Sequence, residues 1–464
     1  MLTIELNEAS ADSLYIQLYS KIKTQIIQKE LKPGEKLPSK RMLASHLGVS
    51  VKTVENAYSQ LLLEGYIYSQ AKSGFYISTL DDYRLSHTIK KEYHTKYHET
   101  SYKVDLKSNK NNVKDFPMSI WSKLLRETLS YDQERLLETV PFNGMLELRM
   151  AIANHLKAFK DMDISPDQVL IGAGTEYLYN RLIQLLGRDR VYGVEDPGSM
   201  RIKSVLDHND VESYMIPVKN HGLSMEHLQE EGVDIIHISP AHQFPLGYVM
   251  PIQERLKLLN WANEKEGRYI IEDDYDSEYR YRGIPVKPLY SIDIRGKVIY
   301  LNTFSKIVAP GIRISYMVLP EPLMERYADN LSFYSCSVSG LEQLALARFI
   351  EEGYLERYIH RIKKTNSLQH SLFMEKLKHS SIARKLTFIE EDAGYHFLLR
   401  INTDWSDSEI KNFFLSHQIL VSMLSEYTTQ PLPEYEKTLV INDSNLSEEQ
   451  MDYFIDAVLQ LNHL

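Results

Sequence analysis

A chain of 464 residues exceeds one ordinary domain, and 43% hydrophobic with 25% charged residues is the balance of a folded globular protein, not of a disordered or coiled-coil one. The net charge of −10 excludes a protein that coats nucleic acid with its whole surface, and a single cysteine, Cys336, excludes an internal disulfide framework and suits a reducing compartment. The first residues lack the basic and apolar regions of a secretion signal and no run of about 18 apolar residues follows, so a cytoplasmic protein without a membrane span is expected.

Charge is uneven along the chain. Residues 1–80 carry nine Lys/Arg against seven acids, while the remainder carries 44 bases and 56 acids, which fits a DNA-binding head on an acidic body. Tyr15, Leu18, Ile22 and Ile26 recur at helical spacing up to the turn signal Lys32-Pro33-Gly34. Two short helices follow, over about 39–47 and 50–64, separated by Gly48-Val49 and with Ser50 placed to cap the second. In that second helix Val54, Ala57, Tyr58, Leu61 and Leu62 make an apolar stripe, leaving Lys52, Thr53, Asn56 and Ser59 on other faces. The alternation in Tyr66-Ile67-Tyr68-Ser69 and Phe75-Tyr76-Ile77 predicts a hairpin about Ala71-Lys72-Ser73-Gly74. A helix pair with a glycine turn, followed by a hairpin, is the helix-turn-helix pattern with a wing.

The segments Leu37-Pro38-Ser39-Lys40-Arg41-Met42-Leu43-Ala44, Leu47-Gly48-Val49-Ser50-Val51-Lys52-Thr53-Val54 and Leu63-Glu64-Gly65-Tyr66 resemble the GntR-family winged helix-turn-helix. The resemblance assigns residues 12–79 to that domain and implies contacts to double-stranded DNA at Ser39, Arg41, Ser50, Lys52, Thr53, Lys72 and Gly74. The chain departs from the family at Val51, where arginine is frequent.

Residues 80–114, rich in Lys, His, Ser, Thr, Tyr and Asn without sustained apolar period, read as a linker. A flexible coil of that length reaches roughly 35 Å, enough to place the head beside a partner's body.

From residue 115 onward the chain reads as one α/β body, with a large part over about 115–350 and a small C-terminal α/β part over about 351–464. Apolar runs at Val169–Gly172, Val191–Val194, Ile235–Ile238, Tyr269–Ile271, Val298–Leu301 and Ile314–Leu319 alternate with helical stretches, the pattern of a buried, mainly parallel sheet. Ligands of such sheets bind beyond the carboxyl ends of the strands. Directly after these runs stand Gly172-Ala173-Gly174-Thr175, Asp196-Pro197-Gly198, Ser239-Pro240-Ala241-His242-Gln243-Phe244-Pro245, Asp273-Asp274-Tyr275 and Thr303-Phe304-Ser305-Lys306.

That set supplies what pyridoxal 5'-phosphate asks of a protein: an imine-forming lysine, a carboxylate for the ring nitrogen, a donor to the phenolic oxygen and a phosphate cradle. Lys306, Asp273 and Tyr275 match the first three. Gly174-Thr175 opens a helix with Leu178, Leu182, Leu185 and Leu186, and its N-terminal amides, with Thr303, Ser305 and Arg313, match the fourth.

The motifs at 239–245, at 272–281 (Glu-Asp-Asp-Tyr-Asp-Ser-Glu-Tyr-Arg-Tyr) and at 303–314 resemble the MocR/GabR group, in which a GntR-type head is joined to a body similar to fold-type I aminotransferases. The resemblance implies a pyridoxal-phosphate-binding transcription regulator, with Lys306, Asp273, Tyr275, Gly174, Thr175, Thr303, Ser305, Arg313 and His242 at the cofactor and Arg201 toward an effector. It also implies a homodimer, head-swapped where the linker permits. No catalytic residue and no metal ligand is assigned. Two departures bear on function: Ser199 stands where a ring-stacking tyrosine is common, with Tyr177 and Tyr192 as substitutes to consider, and residues 380–464 hold only Arg384 and Arg400. An incomplete carboxylate clamp points away from an ordinary amino-acid substrate and toward the cofactor itself or an amine as the signal, as in the PdxR-like branch that controls vitamin B6 synthesis. The competing expectation is an aminotransferase that carries a DNA-binding module.

Overall fold

The computed structural model describes residues 4–7, 10, 12–80, 101–107, 115–276, 278, 286–389, 396–430, 432–444 and 446–461. The chain forms two compact units, Met1–His98 and Glu99–Leu464.

In the first unit α1 (Leu14–Ile27), α2 (Lys40–Leu47) and α3 (Val51–Leu63) precede a hairpin of β1 (Ile67–Gln70) and β2 (Gly74–Ile77). Leu18, Ile22 and Ile26 of α1 bury against Leu43, Val54, Ala57, Tyr58 and Leu61, so the four-residue spacing read from the sequence is the core stripe. Tyr15 and Leu62, expected in those stripes, are 38% and 41% exposed, each at the solvent edge of its stripe. Gly48 ends α2 at φ 69, a left-handed cap in which a side chain would be strained. The hairpin pairs Ile67 with Ile77 and Gln70 with Gly74, and Lys36 bridges to Tyr76.

The second unit begins earlier than the expected linker allows. Residues 81–100 and 108–114 lie outside the described residues, but β3 (Val104–Asp105) sits between them and pairs in parallel with a strand more than 300 residues downstream, with Val104 and Leu106 buried. Two apolar residues in an otherwise polar stretch escape a periodicity test, yet each buried side chain of this size contributes about 1.5–3 kcal/mol.

The large part holds α4 (Met118–Tyr131), α5 (Gln133–Leu136), α6 (Leu146–Lys160), β4 (Val169–Gly172), α7 (Thr175–Leu186), β5 (Tyr192–Asp196), α8 (Met200–Asp207), β6 (Ser213–Lys219), β7 (Gly222–Leu223), β8 (Ile235–Ile238), β9 (Tyr269–Asp273), β10 (Val298–Thr303) and β11 (Ser315–Val318). Among the described residues the strands form one eight-stranded sheet in the order β4-β11-β10-β9-β8-β5-β6-β7. β10, β9, β8, β5 and β6 run parallel, while β11 opposes both its neighbours. The sheet is thus mixed with mostly parallel strands, and β4 points the same way as β10. Ile299 and Leu301 pack toward α7 and the helix Glu321–Leu331, and Val298 and Tyr300 toward the opposite face. Helices on both faces explain why the strands read as continuous apolar runs.

Pairing of Gly172 with Ser315, Ser315 with Thr303, and Leu301 with Asp273 brings the ends of β4, β10 and β9 to one edge. The small part is an antiparallel sheet of β12 (Leu386–Ile389), β13 (His396–Ile401), β16 (Thr438–Asn442) and β15 (Ser422–Met423), with β14 (Ile419–Leu420) paired to β3. Its core gathers Phe373, Phe397, Leu399, Phe414, Ile441 and Phe454. Among the described residues no helix is long and apolar enough to cross a membrane.

Candidate cofactor site and nucleic-acid interface

In the head, Ser39 and Ser50 cap α2 and α3, their hydroxyls accepting from the amides of Met42 at 3.3 Å and Thr53 at 3.0 Å. These two serines therefore fix where the helices start. Arg41 and Lys52 are exposed, and Lys52 Nζ meets Glu55 at 3.1 Å, a carboxylate that also takes Lys40 at 3.1 Å. Lys72 is exposed in the hairpin turn at φ 57, and Gly74 opens β2 at φ 130 with Lys36 Cε 3.3 Å from where a Cβ would stand. Exposed cations at the starts of α2 and α3 and at the hairpin tip suit a duplex backbone and groove.

In the body, Lys306 lies in a single turn after β10 and places Nζ 3.9 Å from the centroid of the Tyr275 ring. Burial pulls the Lys306 amine below the ordinary lysine range, against the carboxylates of Asp276 and Asp273, while Arg201 lowers it further. Asp273 ends β9; burial pushes its carboxyl up to about 7, the Lys306 charge opposing and Asp274 and Asp276 reinforcing.

Behind Asp273 stands His237 of β8, with Nε2 4.0 Å from Oδ2. Its Nδ1 meets the hydroxyl of Tyr179, and burial holds the ring neutral, near a pKa of about 3. A phenol donating to Nδ1 requires the neutral ring to carry its hydrogen on Nε2, the nitrogen on the Asp273 side.

Tyr275, expected to donate to a phenolic oxygen, has its hydroxyl 3.3 Å from His242 Nδ1, and the two rings stack at 5.9 Å. His242 Nδ1 is also 2.8 Å from Asp276 Oδ2, and the His396 ring lies 4.7 Å away. His242, Asp276 and His396 are buried and offer ligand atoms within 4.8 Å of one another. His396 reaches across from β13 and hydrogen-bonds the Pro245 carbonyl through Nε2 at 3.1 Å, joining the small part to the pocket.

Around the expected phosphate cradle, Gly174 caps α7 at φ 97 and Thr175 begins it. Thr303 is spent internally: Oγ1 accepts from the Ser305 amide at 3.1 Å and from Ser315 Oγ at 2.8 Å, and donates to the Ile314 carbonyl at 3.4 Å. A hydroxyl has one donor and two acceptor sites, so Thr303 shapes the turn that presents Ser305 and has no capacity left for an anion. Ser305 Oγ is buried with no hydrogen-bond partner among the described residues. Arg313 pairs with Glu176 at 3.1 Å, and Arg201, expected toward an effector, pairs with the same Glu176 at 3.1 Å.

Ser199 caps α8, its Oγ accepting from the Ile202 amide at 3.4 Å, and offers no ring. Tyr192 is no substitute, because it is buried at the start of β5 with its hydroxyl on the Gly187 carbonyl at 3.0 Å. Tyr177 sits against the Arg181 guanidinium at 4.7 Å. The aromatic beside the pocket is Phe244, 6.1 Å from Tyr275, 5.5 Å from His396 and 5.1 Å from Tyr427. Of the motif at 272–281, Ser277 and residues 279–281 lie outside the described residues.

His237, His396 and Glu176 escaped the sequence reading, while Phe244 and Asp276 stand within its motifs but were given no role. His237 had a signal, as the one polar residue in Ile235-Ile236-His237-Ile238, and so had His396 ahead of Phe397-Leu398-Leu399. Glu176 had none.

The residues present fit pyridoxal phosphate by chemistry. A half-buried carboxylate with a raised pKa is matched by a cationic ring nitrogen, a buried hydroxyl without partner among the described residues is matched by phosphate, and His242 Nε2 is likewise buried without partner among the described residues.

Residues 14–77 match bacterial regulatory proteins of the gntR family, and residues 101–458 match aminotransferase class I and II. A helix-turn-helix head joined to an aminotransferase-type body defines a DNA-binding transcription regulator of the MocR type, and the chain belongs to that family. Among its relatives are the uncharacterized HTH-type transcriptional regulator YdeL of Bacillus subtilis, 33% identical with 96% of each chain covered, and the probable rhizopine catabolism regulatory protein MocR of Rhizobium meliloti, 31% identical over 85% of this chain and 83% of that one. The HTH-type pyridoxine biosynthesis transcriptional regulator PdxR of Corynebacterium glutamicum is 30% identical over 81% of each. An archaeal alanine:glyoxylate aminotransferase shares the body's fold at TM-score 0.69, with 20% identity over 78% of this chain and 91% of that one.

Proposed function

We propose that this regulator binds pyridoxal phosphate at Lys306 and uses its occupancy to alter DNA binding by the head. The observation that carries the reading is that the half-buried Lys306 amine and Asp273 carboxylate act on each other electrostatically, the carboxyl pushed up to about 7, at the sheet edge where α7 begins. When bound, the cofactor supplies an aldehyde for a primary amine and an electron-accepting ring. Lys306 would hold the aldehyde carbon and Asp273, oriented by His237, would hold the ring nitrogen. Tyr275 and His242 would face the phenolic oxygen. The amides of Thr175 and Glu176, Ser305 Oγ and Arg313 would hold the phosphate.

The signal is the cofactor itself or an amine or amino acid, with genes of vitamin B6 or amino-acid metabolism as targets. The name of the Corynebacterium relative supports that choice, as does Arg400, which is directed to the Pro433 carbonyl at 3.1 Å. The protein acts in the cytoplasm as a homodimer whose two heads meet paired half-sites, and the residues between head and body are numerous enough for head exchange. Cofactor or adduct binds two arrangements of the body unequally and so biases the heads.

A pocket with these residues serves transamination equally well by charge, so an aminotransferase with a DNA-binding module is the second reading. The test is cofactor titration followed by borohydride reduction and peptide mapping. A reduced adduct on Lys306, with slow or absent turnover of amino donors, is the expected result. No adduct would overturn the cofactor assignment, and rapid multiple turnover would favour the enzyme.

A further inference from the structure

Glu176, the second residue of α7, joins two arginines from separate stretches of chain. Its Oε2 lies 3.1 Å from Arg313 Nη2 and its Oε1 3.1 Å from Arg201 Nη1. The Arg313 guanidinium stands over the helix start: a Cβ on Gly174 would fall 2.2 Å from its Nη2 and 3.1 Å from Glu176 Oε2. The carboxylate therefore sits where the amides of α7 and Arg313 converge, on the spot the cofactor reading gives to phosphate. Burial acts to raise the Glu176 carboxyl, yet a hydrogen bond donated by its own backbone amide and the two arginines hold it below the ordinary value. It is charged at neutral pH.

We propose, resting on the cofactor reading, that Glu176 is a tethered competitor for the phosphate. It occupies Arg313 when the cradle is empty, weakens cofactor affinity into a range where changes in supply are sensed, and releases Arg201 when phosphate displaces it. A carboxylate on the same helix turn acts at high effective concentration without a translational cost, so even one exposed ion pair opposes the incoming anion. A dianion still wins at sufficient concentration, because it gains two charges on Arg313 and the helix amides where the carboxylate gains one. Once Glu176 is displaced, Arg201 can take the carboxylate of an effector, so cofactor and effector binding favour each other through one side chain.

The experiment compares the full-length wild type with Glu176→Gln and Glu176→Ala. Affinity for pyridoxal phosphate is read from the absorbance of its lysine adduct, and inorganic phosphate serves as a second probe through the rise in apo Tm. Both variants are expected to bind the cofactor roughly three- to tenfold more tightly, to gain more Tm per phosphate added, and to lose much of that advantage at high salt. The cofactor concentration that half-changes DNA occupancy should fall by the same factor. Equal or weaker cofactor binding by both variants, with wild type binding well, would overturn this role for Glu176 alone. Absence of cofactor binding in wild type and variants alike would overturn the cofactor reading beneath it.

Discussion

Lys306 Nζ stands 3.9 Å from the centroid of the Tyr275 ring, and the hydroxyl of that ring is turned to His242 at 3.3 Å. The aromatic face carries the amine while the phenol edge faces the pocket. Tyr275→Phe keeps the cation–ring contact and removes the hydroxyl. A hydrogen bond to a charged oxygen contributes about 1.5–3 kcal/mol, so cofactor affinity should fall roughly 10- to 100-fold with the Lys306 adduct still forming at saturation. Equilibrium titration by absorbance checks both parts. Unchanged affinity would remove Tyr275 from the site.

Asp273 makes the apo protein sensitive to pH. Folded Asp273 keeps its proton up to about 7, whereas in the unfolded chain it ionises near 3.8, so the folded state holds the extra proton between those values. Stability must therefore fall as pH rises through that window and stay reduced above it, by a few kcal/mol at most, of order what linkage allows. Glu195, pushed up to about 8, Glu272, pushed up to about 7, and Glu278, also raised by burial, act in the same direction, while the buried neutral rings of His155, His237 and His396 oppose them below the ordinary histidine range, so the wild-type slope belongs to all of these groups. The difference between wild type and Asp273→Asn isolates one. Apo Tm measured from pH 4.5 to 8 should decline less in the variant, and bound cofactor should flatten the wild-type decline by supplying a cation.

In the head, two substitutions separate folding from recognition. Ser50→Ala removes the cap of α3 and should cost about 1 kcal/mol of head stability. Lys52→Ala removes an ion pair in which Lys52 is 74% exposed, so stability should barely change. DNA binding should weaken instead, with the slope of log affinity against log salt reduced by about 1. Thermal melts and salt-dependent gel shifts on the same preparations check the pair. Unaltered binding by Lys52→Ala would move the contact off the start of α3.

Gly174→Ala should damage the cradle more than the fold. The position is at φ 97, which costs a side chain of order 1–3 kcal/mol, and the added Cβ would displace the Arg313 guanidinium 2.2 Å away. Loss of cofactor affinity with the DNA-binding head still folded, by absorbance and circular dichroism, is the expected outcome.

Much of this architecture is legible in the sequence, because its strands are buried on both faces. Runs such as Ile235–Ile238 and Val298–Leu301 become β8 and β10 with little shift, and the residues after them do reach one edge. β6 was not legible: it lies near the edge of the sheet, contains Pro217 and is mostly half-buried, so its apolar signal is diluted. β3 was hidden for another reason. Two residues paired across more than 300 positions carry no local period. In the site, residue types predicted neighbourhood but not partnership. Hydrogen-bonding capacity commits Thr303 to the turn, and the charge of Glu176, a residue with no motif of its own, claims both Arg201 and Arg313.

The most direct test of a regulator that reads its cofactor is a footprint on the DNA upstream of its own and the adjacent gene, titrated with pyridoxal phosphate, for wild type and Lys306→Ala. Occupancy or footprint boundaries that change with cofactor in the wild type and not in the variant are the predicted result. Identical affinity and boundaries with and without cofactor, while the wild-type adduct is seen to form, would contradict it.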